Sequence, residues 1–132
     1  MKTWSKHWKG SKLPKKQRKY VYNLPAHLRG KLLSSTLTKE LRKKHGTRNI
    51  RIRKGDKAKI MRGQYKGKTG TVERIDVKNT RAYISGIEHT KRDSSKALYP
   101  IHPSNIMITE LSQDKQRLQQ KQETKKITET KK

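Results

Sequence analysis

The chain has 132 residues, of which 36 are lysine or arginine and 10 are acidic, and its formal net charge is +26. With 28% hydrophobic residues and no phenylalanine, it is predicted to bury only a small core. The absence of cysteine excludes disulfides and thiolate metal sites. No segment reaches the roughly 18 apolar residues of a membrane span, and the N-terminus lacks the apolar region of a signal peptide. These properties predict a soluble, intracellular protein with a polyanionic partner, with nucleic acid favoured over an anionic membrane.

Residues 1–33 form a basic segment without a carboxylate, since the first acidic residue is Glu40. The segment lacks sustained apolar periodicity, and Pro14 and Pro25 are expected to break helices. We therefore predict an extended arm that is disordered in isolation and becomes ordered on its partner. The predicted RNA contacts of the arm are Lys15, Lys16, Arg18, Lys19, Arg29 and Lys31. The candidates for base stacking, or alternatively for a protein contact, are Trp4, Trp8, Tyr20 and Tyr22.

Residues 34–49 are predicted to contain one short helix and the lead-in to a β domain. Thr36 or Thr38 is a suitable N-cap for a helix at about 37–45, and Gly46 is placed to end it. The predicted RNA contacts of this segment are Arg42, Lys43, Lys44 and Arg48.

Residues 50–111 carry short apolar alternations that predict β-strands separated by tight turns. Val72 and Ile75 fall out of phase in one of these strands, which predicts a β-bulge. Because no crossover helices separate the strands, we expect a mainly β fold with a small barrel rather than a parallel α/β sheet. Residues 112–132 are predicted to be a polar tail, in which 113–122 can form a short helix.

The most cationic loop of the β domain lies at 62–70, where glycines are interspersed with lysine and arginine. Glycine lets a backbone turn tightly and approach a phosphate closely, and a tyrosine in the loop offers a ring for stacking. A loop whose glycines only satisfy turn geometry is the alternative interpretation, and the net charge favours RNA contact. The predicted contacts of this region and of the preceding strand are Arg51, Arg53, Arg62, Gly63, Tyr65, Lys66, Gly67 and Lys68.

Catalysis, a metal site, a cofactor and a small-molecule substrate all lack support in the sequence. The five histidines are scattered, and none lies at metal-ligand spacing from a partner. His102 precedes Pro103 and is predicted to be a hydrogen-bonding turn residue, while Asp56 and Asp76 form no recognisable acid–base pair. The chain also lacks a recognition helix and a zinc module for the DNA major groove, so folded RNA is the favoured polyanion.

Residues 54–86 resemble a KOW motif, a strand–loop–strand element with a central glycine, here Gly67. KOW motifs occur in ribosomal proteins and in transcription elongation factors, so the flanking residues are the more specific signal. They are similar to the ribosomal large-subunit protein twenty-four family in its archaeal and eukaryotic branch, which is numbered twenty-six in eukaryotes. The similar segments are 15–19, 22–23, 37–45, 48–56 and 100–106, the last reading Pro-Ile-His-Pro-Ser-Asn-Ile.

The resemblance covers roughly residues 15–118, with departures from the family pattern at 24–28, at 79–80 and at Ser94. It implies a structural constituent of the large ribosomal subunit with an SH3-like barrel, located in the cytoplasm and not bound to a membrane. It further implies binding to the 5′ region of the large-subunit rRNA during early assembly, near the polypeptide exit tunnel and beside neighbouring large-subunit proteins. The alternatives are an elongation factor that carries the same motif and a chromatin-type DNA-binding protein.

Overall fold

The structure is a computed structural model that describes residues 4–5 and 10–112. In these residues the helices are α1 (Pro14–Tyr22), α2 (Ala26–Arg29) and α3 (Lys39–His45), with 3₁₀ turns at Gly30–Leu32 and Pro103–Asn105. The strands are β1 (Ser34–Leu37), β2 (Asn49–Arg51), β3 (Lys57–Ile60), β4 (Thr69–Asp76), β5 (Arg81–Ile84), β6 (Glu88–Thr90), β7 (Lys96–Leu98) and β8 (Ile106–Glu110). The helix predicted at 113–122 lies outside the described residues.

Six strands form one mixed sheet in the order β2-β1-β8-β3-β4-β5, and β6 and β7 form a separate hairpin. β1 and β8 run parallel, with Thr36 opposite Met107, and the other neighbours are antiparallel. The prediction of a mainly β fold is therefore confirmed. The sheet does not close into a barrel, because its edge strands β2 and β5 are not paired with each other. The sequence predicts that the β domain begins at residue 50. β1 lies before this residue and β2 spans it, yet both strands belong to the sheet.

The core consists of aliphatic side chains, most of them from the strands and the segments that join them. Its buried members are Leu33, Leu37, Ile50, Ile52, Ala58, Ile60, Val72, Ala82, Ile84, Ile87, Ile101, Ile106 and Ile108. Apolar residues at alternate positions supply this core, as β3 shows, where Ala58 and Ile60 are buried between more exposed lysines. A core of this size agrees with the low hydrophobic content of the chain.

Strand β4 carries the bulge predicted from its out-of-phase apolar residues. Its register with β5 shifts between Val72 and Arg74. Near its start, Gly70 lies opposite Ala58, and a Cβ at this position would be 2.5 Å from the carbonyl oxygen of Ser85. The close approach of two backbones therefore requires glycine here.

Residues 14–22 and 26–32 are helical, where an extended arm is expected from the sequence. Pro14 stands at the start of α1, where its fixed φ fits the helix and the missing N–H is not needed. Pro25 immediately precedes α2, so neither proline interrupts a helix. Arg29 holds the helices in place, because its guanidinium donates hydrogen bonds to the carbonyl oxygens of Tyr22 (2.5 Å), Leu24 (3.2 Å) and Lys78 (3.0 Å).

The helix predicted at about 37–45 is present as α3, but it begins two residues later. Leu37 ends β1, and Thr38 occupies the N-cap position, although its hydroxyl makes no capping hydrogen bond. Gly46 ends the helix in the left-handed conformation, with φ of 58°, as predicted. None of the helices in the described residues has the length and apolar character to cross a membrane.

Candidate nucleic-acid interface

The basic loop, defined here as residues 61–68, connects β3 to β4 and is held by its own backbone. Lys66 N–H donates to the Gly63 carbonyl (3.0 Å), and Gly67 N–H donates to the Ile60 carbonyl (2.9 Å). Gly63 and Gly67 have φ values of 94° and 88°, which side-chain-bearing residues rarely adopt. The Gly67 amide is used within the protein, so the glycines fix the shape of the loop and the cationic side chains are what it offers to a partner.

The cationic side chains of the basic loop point into solvent. Arg62, Lys66 and Lys68 are all exposed. In the part of the chain that the structure describes, neither a hydrogen bond nor an ion pair engages the side chain of Arg62 or Lys66. The ammonium group of Lys68 lies 5.3 Å from the centre of the Tyr65 ring, which is a cation–π distance. The loop thus presents three positive charges that form no ion pair with a carboxylate of residues 4–5 or 10–112.

Tyr65 is an anchor of the basic loop rather than a freely exposed ring. Its hydroxyl donates a hydrogen bond to the Glu88 carbonyl (2.9 Å), and its ring packs partly against the core. The ring centre lies 5.0 Å from that of Tyr99, with a tilt of 58° between the planes. Tyr65 therefore ties the loop to the β6–β7 hairpin, and Tyr99 is the more exposed aromatic residue of the pair.

The predicted contacts of the arm lie mainly on α1. This helix has no buried residue and no acidic residue in its first turn, and its cations are exposed, as is Lys31. Tyr22 is 80% exposed and remains available for stacking. Tyr20 instead faces Trp4, with ring centres 5.8 Å apart, so these two aromatics pack on each other. Trp8 lies outside the described residues.

Two arginines predicted to bind RNA are engaged within the protein. The carbonyl contacts of Arg29 hold α1 and α2 together, as described above. The half-buried Arg42 donates from Nε to the Leu37 carbonyl (2.7 Å) and so links α3 to the end of β1. The neighbouring Lys43, Lys44 and Arg48 are exposed.

Two further predicted RNA contacts, Arg51 and Arg53, lie at the end of β2 and just after it. Arg51 and Arg53 are exposed while Ile50 and Ile52, which alternate with them, are buried. The guanidinium of Arg51 packs against the backbone of Gly30. Arg51 therefore lies where the 3₁₀ turn after α2 meets the sheet, and Arg53 follows β2 with an exposed side chain.

A groove beside the basic loop contains residues that the sequence analysis did not identify as a site. It has a volume of about 330 Å³ and is lined on one side by residues 62–65 and on the other by residues 99–102 and Asn105, together with Arg81. We call it the Tyr99 groove. The hydrogen bond from Met61 N–H to the Asn105 carbonyl (2.8 Å) holds its two sides together. These segments are far apart in sequence, so no local pattern could have shown that they meet.

His102 is a hydrogen-bonding turn residue, as predicted. Its Nδ1 accepts from the Ser104 backbone N–H (3.3 Å) and lies 2.8 Å from the Ser104 hydroxyl. Burial, with the positive charge of Arg81 as a smaller cause, lowers the pKa of His102 below its ordinary value of 6.5. The described residues contain no group of three or more histidine, cysteine or acidic side chains that would hold a metal ion.

Comparison with known proteins identifies the family. A family model described as "Ribosomal proteins L26 eukaryotic, L24P archaeal" matches residues 11–123. The chain belongs to this family. The protein named "Large ribosomal subunit protein uL24" of Korarchaeum cryptofilum (strain OPF8) is 49% identical to this chain over 98 residues, which cover 74% of this chain and 75% of the relative.

Membership of this family confirms the resemblance seen at residues 37–56 and 100–106. The chain is a structural protein of the large ribosomal subunit, located in the cytoplasmic ribosome, and not an enzyme. The match covers α1, α2, α3 and the six-stranded sheet, so it does not rest on the KOW motif alone. The elongation-factor and chromatin alternatives are therefore rejected.

Proposed function

We propose that this chain binds large-subunit rRNA chiefly through the basic loop, with α1 and the end of α3 as further contacts. The observation that carries the proposal is the state of Arg62, Lys66 and Lys68, which are exposed on a loop of fixed shape and lack a carboxylate partner among the described residues. Phosphate contacts supply much of the affinity of RNA-binding proteins, and a preformed cationic loop makes them without first being ordered.

The arrangement of cations supports contact with more than one RNA segment. The basic loop lies at the start of β4, whereas α1 and α2 are held near the turn that follows β4, through the bond from Arg29 to the Lys78 carbonyl. One RNA segment therefore binds at each end of β4, so the protein joins parts of the rRNA that are separate before assembly. Some parts of this proposal rest on the family resemblance. They are a role in early assembly, binding to the 5′ region of the rRNA, a place near the exit tunnel and contacts with neighbouring large-subunit proteins.

The same proposal covers the organisation of the chain. Residues 1–33 act as a basic arm, 34–49 as a short helix and lead-in, 50–111 as an SH3-like barrel element and 112–132 as a polar tail. In this scheme α1 and α2 are the described part of the arm, and Arg29 fixes their position before RNA is bound. The arm then adds phosphate contacts to those of the basic loop.

The test compares two double charge reversals that change the net charge equally. Lys66→Glu with Lys68→Glu alters the basic loop, and Lys91→Glu with Arg92→Glu alters the exposed turn between β6 and β7. Affinity for a cognate 5′ segment of the large-subunit rRNA is measured as a function of salt. The logarithm of the binding constant falls with log salt by about 0.7 to 0.9 per phosphate contact, so the loss of two contacts reduces the slope by about 1.4 to 1.8.

We expect this reduction for the basic-loop variant and a smaller one for the matched control, with both proteins folded by circular dichroism. If the control lost as much affinity and slope as the basic-loop variant, net charge alone would explain binding. The basic loop would then have no special role.

A further inference from the structure

The Tyr99 groove combines an apolar floor, aromatic walls and unpaired polar groups. Ile60 and Ile101 line it and are buried, and the rings of Tyr65 and Tyr99, one from each side of the groove, have their centres 5.0 Å apart. Tyr99 is 38% exposed, so part of its surface faces solvent. The volume of the Tyr99 groove, about 330 Å³, lies near the lower limit for small-molecule pockets, which is about 300 Å³. The groove therefore fits one small planar group and not a helix.

Three polar side chains that line the Tyr99 groove make no hydrogen bond or ion pair within the described residues. Arg62 and Arg81 are exposed, and among the described residues neither guanidinium has a hydrogen bond or an ion pair. The side-chain amide of Asn105 also makes no hydrogen bond within that part of the chain. Two positive charges and an amide thus converge on an apolar, aromatic cleft.

His102 supplies a neutral hydrogen-bond donor at the same place. In the tautomer in which Nδ1 accepts from the Ser104 backbone N–H, the proton of the neutral ring resides on Nε2. Burial, and to a smaller extent the charge of Arg81, lowers the pKa of His102 below 6.5, which favours the neutral ring. A neutral N–H donor suits the edge of a nucleobase, whereas a site built for phosphate alone would gain more from a charged imidazolium.

We propose that the Tyr99 groove holds one unpaired nucleotide of the bound RNA. The base lies on the exposed face of Tyr99, and its edge meets His102 Nε2 and the amide of Asn105. Arg62 and Arg81 contact the adjoining phosphates. Unpaired bases bound by aromatic stacking and edge hydrogen bonds are the usual target of sequence-specific RNA recognition. This inference rests on the proposed function and adds to it a site that reads an RNA base.

The experiment probes the full chain bound to a cognate 5′ segment of the large-subunit rRNA. Dimethyl sulfate and a carbodiimide together report which unpaired bases have their pairing edges covered. We expect the wild type to protect at least one unpaired base that becomes reactive again in Tyr99→Ala. Because stacking on an aromatic ring contributes strongly per base, Tyr99→Ala should also weaken binding by about 5- to 150-fold.

Three further variants separate recognition from folding and charge. Tyr99→Phe keeps the ring and should keep the protection. Arg81→Gln leaves the aromatic wall in place and should restore part of the reactivity of the same base, which provides a test if Tyr99→Ala fails to fold. Arg92→Ala removes a positive charge outside the groove and should leave the protected base unchanged.

The outcomes distinguish this inference from the proposed function. If the wild type binds the RNA with the expected salt dependence but protects no unpaired base, the nucleotide site is wrong and the proposed function stands. The same conclusion follows if folded Tyr99→Ala and Arg81→Gln both keep the protection. If the wild type does not bind the RNA, both proposals are wrong.

Discussion

The buried carboxylate of Asp56 is predicted to be a major determinant of the stability of the sheet. Its side chain is fully buried, with Oδ2 accepting a hydrogen bond from Arg53 N–H (2.8 Å) and Oδ1 accepting one from Ser112 N–H (3.0 Å). The first bond closes the turn before β3, and the second fixes the chain just after β8. One residue therefore joins two segments that are far apart in sequence.

The magnitude of the effect follows from these two bonds. Hydrogen bonds to a charged group are worth about 1.5–3 kcal/mol each, so Asp56→Ala removes about 3–6 kcal/mol. The substitution also removes the desolvation free energy of a buried carboxylate. The expected loss of stability therefore lies near the lower end of that range. Domains of roughly 100 residues have free energies of unfolding of about 5–15 kcal/mol, so the loss is a large fraction of the total.

Urea unfolding followed by circular dichroism measures this loss, because urea is uncharged and does not screen the lysines and arginines. Asp93→Ala is the matched control, since Asp93 is exposed and its carboxylate accepts from Ser95 within one turn. We expect a much smaller change for the control. A loss below about 1 kcal/mol in Asp56→Ala would refute the assignment, because two partly buried backbone donors would then have lost their acceptor at little cost.

Two further predictions concern the close approach at β4 and the groove histidine. Gly70→Ala should destabilise the protein by about 1–3 kcal/mol, because its Cβ would meet backbone at 2.5 Å, whereas Gly10→Ala, with nothing within 4 Å of the new Cβ, should be neutral in the same urea titration. NMR titration should give His102 a pKa below 6.5, and Arg81→Gln should raise it. With a pKa lower in the folded state than in the unfolded state, His102 binds more protons in the unfolded state as the pH falls below 6.5. Its contribution to stability is therefore present above about pH 6.5 and is lost as the pH falls from 6.5 towards the folded pKa. A wild-type His102 pKa at or above 6.5 would contradict this.

The elements with local signals were predictable from the sequence. The position of Gly46 after a basic helical segment indicated a helix end. Gly46 does end α3, because it adopts the left-handed backbone conformation. The alternation around Ala58 and the phase change after Val72 correctly located β3 and the bulge in β4. These features depend on local backbone conformation and on which side chains of a strand are buried. Both properties are determined by a few neighbouring residues, so a short stretch of sequence predicts them.

The misassigned elements depend on partners distant in sequence. Residues 34–37 form a strand because β1 pairs with β8, with Leu37 opposite Ile108. The helical arm is fixed by the contact from Arg29 to Lys78, which no pattern in residues 1–33 indicates. The exposed cations of the basic loop were foreseeable from composition, whereas the Tyr99 groove was not, because two separate segments form it.

The use of the few acidic residues explains why so much positive charge remains for a polyanion. Asp56, Asp76 and Asp93, the aspartates of the described residues, each accept hydrogen bonds from backbone N–H groups. In the same part of the chain Glu110 forms a salt bridge with Lys57 at 2.9 Å, but both side chains are largely exposed, and such pairs contribute little stability. Folding therefore leaves a large excess of positive charge that repels itself, and the proposed binding to rRNA would relieve this repulsion.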